Sequence, residues 1–136
     1  MSDAYPQLKQ HTVLYIEDNP ANMRLITRIL GRFDNIKMLG AEEPVHGLEM
    51  AGDHKPDLVL LDINLPGMDG FAVLELLRQG ETTCNTPVIA ISANAMDEDV
   101  NRARKAGFDD YIIKPVNVDT LIKSVNAALK ITEEIR

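Results

Sequence analysis

The sequence feature that most constrains this chain is a short apolar run that ends in an acid. Leu58 to Leu61 are four consecutive apolar residues, and Asp62 follows them directly. An uninterrupted run of this length is typical of a parallel strand that is buried on both faces. The turn-forming residues that stop the strand are Asn64, Pro66, Gly67 and Gly70. Asp62 is therefore predicted at the carboxyl end of this strand, where open α/β sheets bind their ligands.

Apolar runs of the same kind alternate along the chain with stretches whose apolar residues recur at helical spacing. The predicted strands are Thr12 to Ile16, Ile36 to Ala41, Leu58 to Asp62, Val88 to Ser92 and Tyr111 to Ile113. The predicted helices are Ala21 to Phe33 with Pro20 at the first helical position, Pro44 to Gly52, one between Gly70 and Gly80, Ala95 to Ala106, and Val118 to Leu129. The fourth helix has a thin apolar face, on which Val100, Ala103 and Ala106 are expected to point inward.

The order of these elements predicts the fold class. Five strands that alternate with five helices in 136 residues imply right-handed crossovers and an α/β fold, in which helices cover both faces of a doubly wound parallel sheet. A chain of this length is most simply one domain. We expect residues 1–11 to be an N-terminal extension, residues 12–130 to form the domain and residues 131–136 to be a C-terminal tail.

Composition argues against several classes of protein. The formal net charge is -7, and no basic stripe is present to bind nucleic acid directly. No apolar run has the length of a signal peptide or a membrane span, so we expect a cytoplasmic protein without a membrane segment. The single cysteine, Cys84, cannot form an internal disulfide. His11, His46 and His54 lack metal-site spacing, so no zinc site is expected and all three are predicted at the surface.

Five polar residues stand at or just beyond the carboxyl ends of different predicted strands, so they should converge at one edge of the sheet. They are Glu17, Asp18, Asp62, Ser92 and Lys114. Several of them have an ordinary alternative role: Asp18 or Asn19 can cap a helix, Ser92 can cap a strand end, and Lys114 can be a solvated surface lysine. The coincidence of all five at one edge favours a functional site.

The chemistry of this set indicates phosphoryl transfer. Crowded carboxylates repel one another by about 4 kcal/mol per close pair at an intermediate effective dielectric, so they need a cation. Oxygen ligands without His or Cys suit Mg2+, which accepts one or two carboxylates and keeps several waters. With a cation and the Lys114 ammonium beside it, Asp62 could attack a phosphoryl group and form an acyl phosphate. Ser92 could donate a hydrogen bond to a phosphoryl oxygen.

Four segments carry a resemblance to a known family. They are Tyr15-Ile16-Glu17-Asp18-Asn19, Leu60 to Gly70, Ile91-Ser92-Ala93 and Tyr111-Ile112-Ile113-Lys114-Pro115. In order and spacing they resemble the receiver domains of two-component response regulators, of the chemotaxis-regulator-like type. The resemblance covers Thr12 to Lys130 and implies a three-layer, flavodoxin-like (βα)5 fold with the strand order 2-1-3-4-5.

The resemblance also implies roles for the acidic residues. Asp62 would accept a phosphoryl group from a phosphohistidine on a histidine kinase or a histidine phosphotransfer protein. Asp18 and Asp62 would bind Mg2+ directly, Glu17 through water, and Asn64 through its backbone carbonyl. Glu17 stands where the family more often has Asp, which keeps an acidic ligand but can alter its geometry.

A second group of residues is implied to act as a conformational switch. Ser92 would be the switch hydroxyl, Tyr111 the switch aromatic, and Lys114 the partner of the phosphoryl group, next to a cis Lys114–Pro115 bond. Phosphorylation would draw Ser92 toward the phosphoryl oxygens, residues 93–96 would follow, and Tyr111 would turn inward. Such a domain is a phosphoacceptor that regulates a partner rather than an enzyme.

Four residues beside the site are expected to select the phosphodonor. They are Asn22, Met23, Pro66 and Pro115, and the output partner stays open.

Three other functions compete with this interpretation. A haloacid-dehalogenase-type phosphatase would need an acid two residues after its nucleophile, where this chain has Asn64. A nucleotide-binding domain would need GxGxxG or GxxxxGK, which the sequence lacks. A receiver-like scaffold that binds partners without phosphorylation stays open.

The molecular context of the domain also stays open. It is either a stand-alone regulator, or a receiver that belongs to a hybrid histidine kinase or to a longer regulator.

Overall fold

Strands and helices alternate throughout the part of the chain that the structure describes. The computed structural model describes residues 10–130, and five strands and five helices follow one another within them. The elements are β1 His11–Ile16, α1 Pro20–Gly31, β2 Ile36–Ala41, α2 Pro44–His54, β3 Leu58–Asp62, α3 Gly70–Gln79, β4 Val88–Ser92, α4 Asp97–Ala106, β5 Asp110–Ile113 and α5 Val118–Ala128. Most of the predicted extension and all of the predicted tail lie outside the described residues. Within them, no helix is long and apolar enough to cross a membrane.

The strands form one parallel sheet in the order β2-β1-β3-β4-β5, which confirms the predicted fold class and strand order. Helices cover both faces of the sheet. One apolar cluster joins Leu61 of β3 to residues of α3 such as Val73, and the other joins Leu60 to Leu30 of α1 and Leu121 of α5. The strand order reverses beside β1, so a crevice forms at the carboxyl ends of β1 and β3.

The ends of the elements differ slightly from the predicted ones. β1 begins at His11, whose N–H donates to the carbonyl of Asn35 at 2.8 Å. His11 is buried, so the prediction that it lies at the surface is wrong. α2 continues to His54, where Lys55 with a φ of 48° caps it. α1 ends, and α4 begins, two residues inside the predicted limits, because residues 32–33 and 95–96 form turns or irregular backbone instead of helix.

Two polar residues near the carboxyl edge of the sheet cap helices. The side chain of Asn19 accepts a hydrogen bond from the N–H of Asn22 at 3.0 Å and caps α1. Asp69 caps α3 in the same way, through the N–H of Ala72 at 3.0 Å. The cap of α1 is therefore Asn19 and not Asp18. Helix capping does not explain why two acids stand together at Glu17 and Asp18.

α4 has the thin core contact that its sequence predicts. Within this helix, all of which the structure describes, Ala103 is the one buried residue, and Ala106 is exposed rather than inward-facing as predicted. Ring contacts hold the helix instead. The guanidinium of Arg102 lies 4.0 Å from the ring centroid of Phe71, and Phe71 meets Phe108 edge to face at 5.6 Å. Phe71 follows Gly70 in the first turn of α3, so Arg102 of α4 contacts the segment that follows Asp62.

A substitution at Gly70 tests how tightly α3 packs against the end of β3. A Cβ at this position would lie 2.6 Å from the Cα of Ile63 and 3.1 Å from the carbonyl oxygen of Asp62. Because those atoms are backbone, we expect Gly70→Ala to lower the free energy of unfolding by about 1 to 3 kcal/mol, measured by urea denaturation. Gly52→Ala is the control, since a Cβ there meets no described atom within 4 Å. It should raise the stability by up to about 1 kcal/mol. Equal effects at both positions would contradict the close packing.

Candidate functional site

Three carboxylates meet in the crevice between β1 and β3. Glu17 and Asp18 follow the last residue of β1, and Asp62 is the last residue of β3. One oxygen of each carboxylate lies within 4.8 Å of the others. Glu17 and Asp62 are buried, with 0% and 3% of their surface exposed, whereas Asp18 is exposed. The structure thus brings together the three acids that the sequence predicts at this edge.

A lysine that follows the edge strand β5 lies between the two buried acids. The Nζ of Lys114 is 3.0 Å from Oε1 of Glu17 and 3.0 Å from Oδ2 of Asp62. Two backbone features place it there: the Lys114 N–H donates to the carbonyl of Ser92 at 2.8 Å, and the Lys114–Pro115 peptide bond is cis, as predicted. The ammonium therefore balances part of the negative charge of the crevice.

Further donors fix the buried carboxylates. The Tyr15 hydroxyl donates to Oε1 of Glu17 at 2.9 Å, and the N–H of Asn19 points to the other oxygen of Glu17 at 3.4 Å. The N–H of Asn64 donates to Oδ1 of Asp62 at 2.9 Å. The sequence analysis missed Tyr15. The signal was its position two residues before Glu17, because side chains at that spacing lie on the same side of a strand.

The crowding of the acids shifts their pKa values in opposite directions. Burial raises the pKa of the Asp62 carboxyl, and its hydrogen bond with Glu17 acts in the same direction. Burial would also raise the pKa of Glu17, but hydrogen bonds with Asp62, Lys114 and Tyr15 outweigh it, so that this pKa is lowered. Burial works against the Lys114 ammonium, yet its hydrogen bonds to Asp62 and Glu17 raise its pKa. Burial therefore outweighs the hydrogen bonds from Asn64 and Lys114 at Asp62.

The two predicted switch residues both contact Asn94. Ser92 is completely buried, and its Oγ accepts a hydrogen bond from the N–H of Asn94 at 3.0 Å. Tyr111 is half-buried, and its hydroxyl donates to the carbonyl of Asn94 at 2.7 Å. A cavity of about 340 Å³ lies beside them, between this loop, the loop after β3 and α4, and Asn64, Arg102 and Tyr111 are among its lining residues. The structure therefore links Ser92 and Tyr111 through one short loop.

The carboxylate cluster fits a hard divalent cation. Glu17, Asp18 and Asp62 each offer an oxygen to a common position, and neither His nor Cys contributes to the group. Mg2+ prefers such oxygen ligands and retains several waters, which the exposed side of the crevice at Asp18 allows.

Comparison with known proteins agrees with this geometry. The family model of the response regulator receiver domain matches residues 13–126. This chain belongs to that family. Among curated relatives, the polar-differentiation response regulator DivK of Brucella ovis is 36% identical to this chain over 118 residues. The matched residues cover 87% of this chain and 95% of DivK.

Solved structures of receiver domains have the same fold. The receiver domain of the sensor histidine kinase PA1611 from Pseudomonas aeruginosa is 26% identical, with a TM-score of 0.81 over 89% of this chain and 98% of that one. That crystal structure has a magnesium ion coordinated in its active-site cleft. The receiver domain of the Francisella response regulator 1452 is 30% identical, with a TM-score of 0.82 over 91% of this chain and 100% of that one. The likeness therefore spans nearly the whole of each domain.

Removal of the Asp62 charge should stabilise this receiver in the absence of divalent cations. Because the pKa of Asp62 is raised in the folded state, the folded chain holds this proton more tightly than the unfolded chain does. The contribution of Asp62 to the stability is therefore lost as the pH rises above about 4, the ordinary pKa of Asp. We expect Asp62→Asn to be more stable than the wild type at neutral pH, and this advantage to shrink toward pH 4. Urea denaturation in EDTA at several pH values measures both.

The control for this prediction is Asp69→Asn, because Asn caps a helix as well as Asp does. It should change the stability by less than about 0.5 kcal/mol. A wild type that is more stable than Asp62→Asn at neutral pH would mean that the Asp62 charge is net stabilising.

Proposed function

We propose that this receiver accepts a phosphoryl group on Asp62 from a phosphohistidine, with Mg2+ bound by Asp18 and Asp62 directly, by Glu17 through water and by the backbone carbonyl of Asn64. The observation that supports this most is the pair of 3.0 Å contacts from the Lys114 ammonium to Glu17 and Asp62. A buried carboxylate beside an ammonium and further acids is a nucleophile whose surroundings can offset the charge of an incoming phosphoryl group.

The proposed reaction is a transfer between two protein side chains. An oxygen of Asp62 attacks the phosphorus, the bond between phosphorus and the donor imidazole nitrogen breaks, and that nitrogen keeps the electron pair. The product is an acyl phosphate on Asp62, which water later hydrolyses. Bound Mg2+ would supply positive charge that reduces the repulsion between the acids and the phosphoryl oxygens. Lys114 moves one hydrogen bond from Asp62 to a phosphoryl oxygen, and Ser92 donates another.

The donor we propose is a histidine kinase or a histidine phosphotransfer protein in the cytoplasm. The relatives include both contexts that the sequence leaves open, a separate regulator and the receiver of a sensor kinase. Asn22, Met23, Pro66 and Pro115, which stand close in sequence to the residues of the site, are the proposed selectivity residues for this donor. On this proposal the domain modifies only itself, so it is a regulatory switch and not an enzyme that turns over a separate substrate.

The proposed switch runs through Asn94. Rotation of the Ser92 side chain toward a phosphoryl group, which adds about 1.5 to 2 negative charges, would break the hydrogen bond that its Oγ accepts from the N–H of Asn94. Residues 93–96 then move, and the bond from the Tyr111 hydroxyl to Asn94 must break or move with them. α4 follows easily, because its buried contact is small. A partner that binds this face in one state only would read the change.

Phosphorylation is tested by mass spectrometry of the intact chain after incubation with acetyl phosphate, with and without Mg2+. We expect the wild type to gain one phosphoryl group only when Mg2+ is present, and Asp62→Asn to gain none. Asp69→Asn, whose acid caps α3 outside the crevice, should be modified like the wild type. If acetyl phosphate fails, a phosphohistidine donor separates donor specificity from a scaffold that is never phosphorylated. Failure with both donors would favour the scaffold.

The switch is tested by NMR with beryllium fluoride as a phosphoryl mimic in the presence of Mg2+. We expect the amide signals of residues 93–111 to move, because this segment contains the loop, α4 and Tyr111. The signals of α2, on the other side of the site, should move much less. Signals of residues 93–111 that stay unchanged while the mimic binds Asp62 would contradict the proposed route.

A further inference from the structure

A buried tyrosine, Tyr15, donates a hydrogen bond to Glu17, one of the three clustered acids. We propose that Tyr15 is a positioning residue for Glu17, and that its hydroxyl holds the Glu17 carboxylate in place for Mg2+ binding and phosphoryl transfer. This inference rests on the proposed function of the same site. It concerns a residue two positions before the acidic pair, inside the strand rather than in the loop that follows.

The contact is a single well-placed hydrogen bond in a closed environment. Tyr15 has 0% of its surface exposed, and its ring packs in the apolar cluster between the sheet and α1 and α5. Its hydroxyl reaches Oε1 of Glu17 at 2.9 Å. The same oxygen accepts the hydrogen bond from Lys114 at 3.0 Å, whereas the bond from Asn19 to the second oxygen is longer, at 3.4 Å. Tyr15 and Lys114 are therefore the two close donors to Glu17.

The length of the glutamate explains why it needs an anchor. Glu has one more rotatable bond than Asp, so its carboxylate can occupy more places in the crevice. Ordering such a side chain costs conformational entropy. A fixed hydroxyl selects one of these places, in which the second oxygen of Glu17 accepts the longer hydrogen bond from the N–H of Asn19. In this chain, Tyr15 and Glu17 therefore form a structural pair.

The anchor matters most after phosphoryl transfer. Lys114 donates to both Glu17 and Asp62 before the reaction, and on the proposed function it moves one of these hydrogen bonds to a phosphoryl oxygen. Glu17 then shares the ammonium with the phosphoryl group while it stays buried. A buried carboxylate without a donor is strongly disfavoured. The Tyr15 hydroxyl remains in place and keeps Glu17 hydrogen-bonded in the phosphorylated state.

The experiment is a double-mutant cycle with Tyr15→Phe and Glu17→Asp. Tyr15→Phe keeps the ring and removes only the hydroxyl, and Glu17→Asp shortens the acid so that it ends one methylene short of that hydroxyl. Two readouts are used: the Mg2+ dissociation constant from calorimetric titration, and the rate constant of Asp62 phosphorylation by acetyl phosphate at saturating Mg2+. Losses of about tenfold in metal affinity or activity are typical when a group that orients a metal ligand is removed.

We expect Tyr15→Phe to weaken Mg2+ binding and to slow phosphorylation by about tenfold each when Glu17 is present. In the Glu17→Asp background the same change should have less than a twofold effect, because the hydrogen bond is already absent. The control is Thr83→Val, which removes a buried hydroxyl that donates to the carbonyl of Leu77 at 2.6 Å far from the crevice. It should lower the stability without changing Mg2+ binding or phosphorylation.

Three results would overturn the inference. The first is a Tyr15→Phe variant that stays within twofold of the wild type in both readouts. The second is an equal loss in the Glu17 and Glu17→Asp backgrounds, which would indicate a general effect on the core. The third is a wild type that binds no Mg2+. A wild type that binds Mg2+ but is never phosphorylated would refute the proposed function alone, since the Mg2+ titrations still decide the role of Tyr15.

Discussion

The hydrogen bonds from the Lys114 ammonium to Glu17 and Asp62 are the interaction on which the rest of this receiver depends. They join residues that are 97 and 52 positions apart in the sequence, and they connect the end of β5 to the ends of β1 and β3. Two buried carboxylates this close repel each other strongly unless a positive charge lies between them. Lys114 donates to both acids at once, so its ammonium offsets part of this repulsion, and in the proposed reaction it is the cation that would meet the phosphoryl group.

The placement of apolar surface decides which part of the molecule can move. β1, β3 and β4 are almost entirely buried between two apolar clusters, so the strands that carry the site form a rigid base. α4 contributes Ala103 to this core, and its Arg102 guanidinium lies over the ring of Phe71. Elements with little buried contact open at low free energy. The site therefore lies on the stable part of the fold, next to its least stable helix.

The sequence predicted the fold well because buried parallel strands and amphipathic helices have distinct apolar periods. It also predicted which acids and which lysine meet, since the ends of parallel strands share one edge. It did not predict His11 as buried, because a pattern of apolar residues says little about a polar residue at a strand end. The prediction that Ala106 points inward was wrong for a related reason: an alanine fits the buried and the exposed face of a short helix equally well. The hydrogen bond from Tyr15 needed the position of Glu17 in space, which no local pattern contains.

Acids lie at both ends of the strands, but only those at the amino ends are satisfied by backbone N–H groups of the strands. At the amino ends, Asp57 accepts the N–H of Thr12 and Asp109 accepts the N–H of Val88, each at 2.8 Å. Strands that begin there leave N–H groups without partners in the sheet, so carboxylates satisfy them. At the carboxyl ends the strands present carbonyl oxygens, which repel a carboxylate. Three acids cluster there with one ammonium, and when ionised they leave two negative charges uncompensated. A divalent cation carries the charge that balances them, and this is the physical basis for Mg2+ in the proposed reaction.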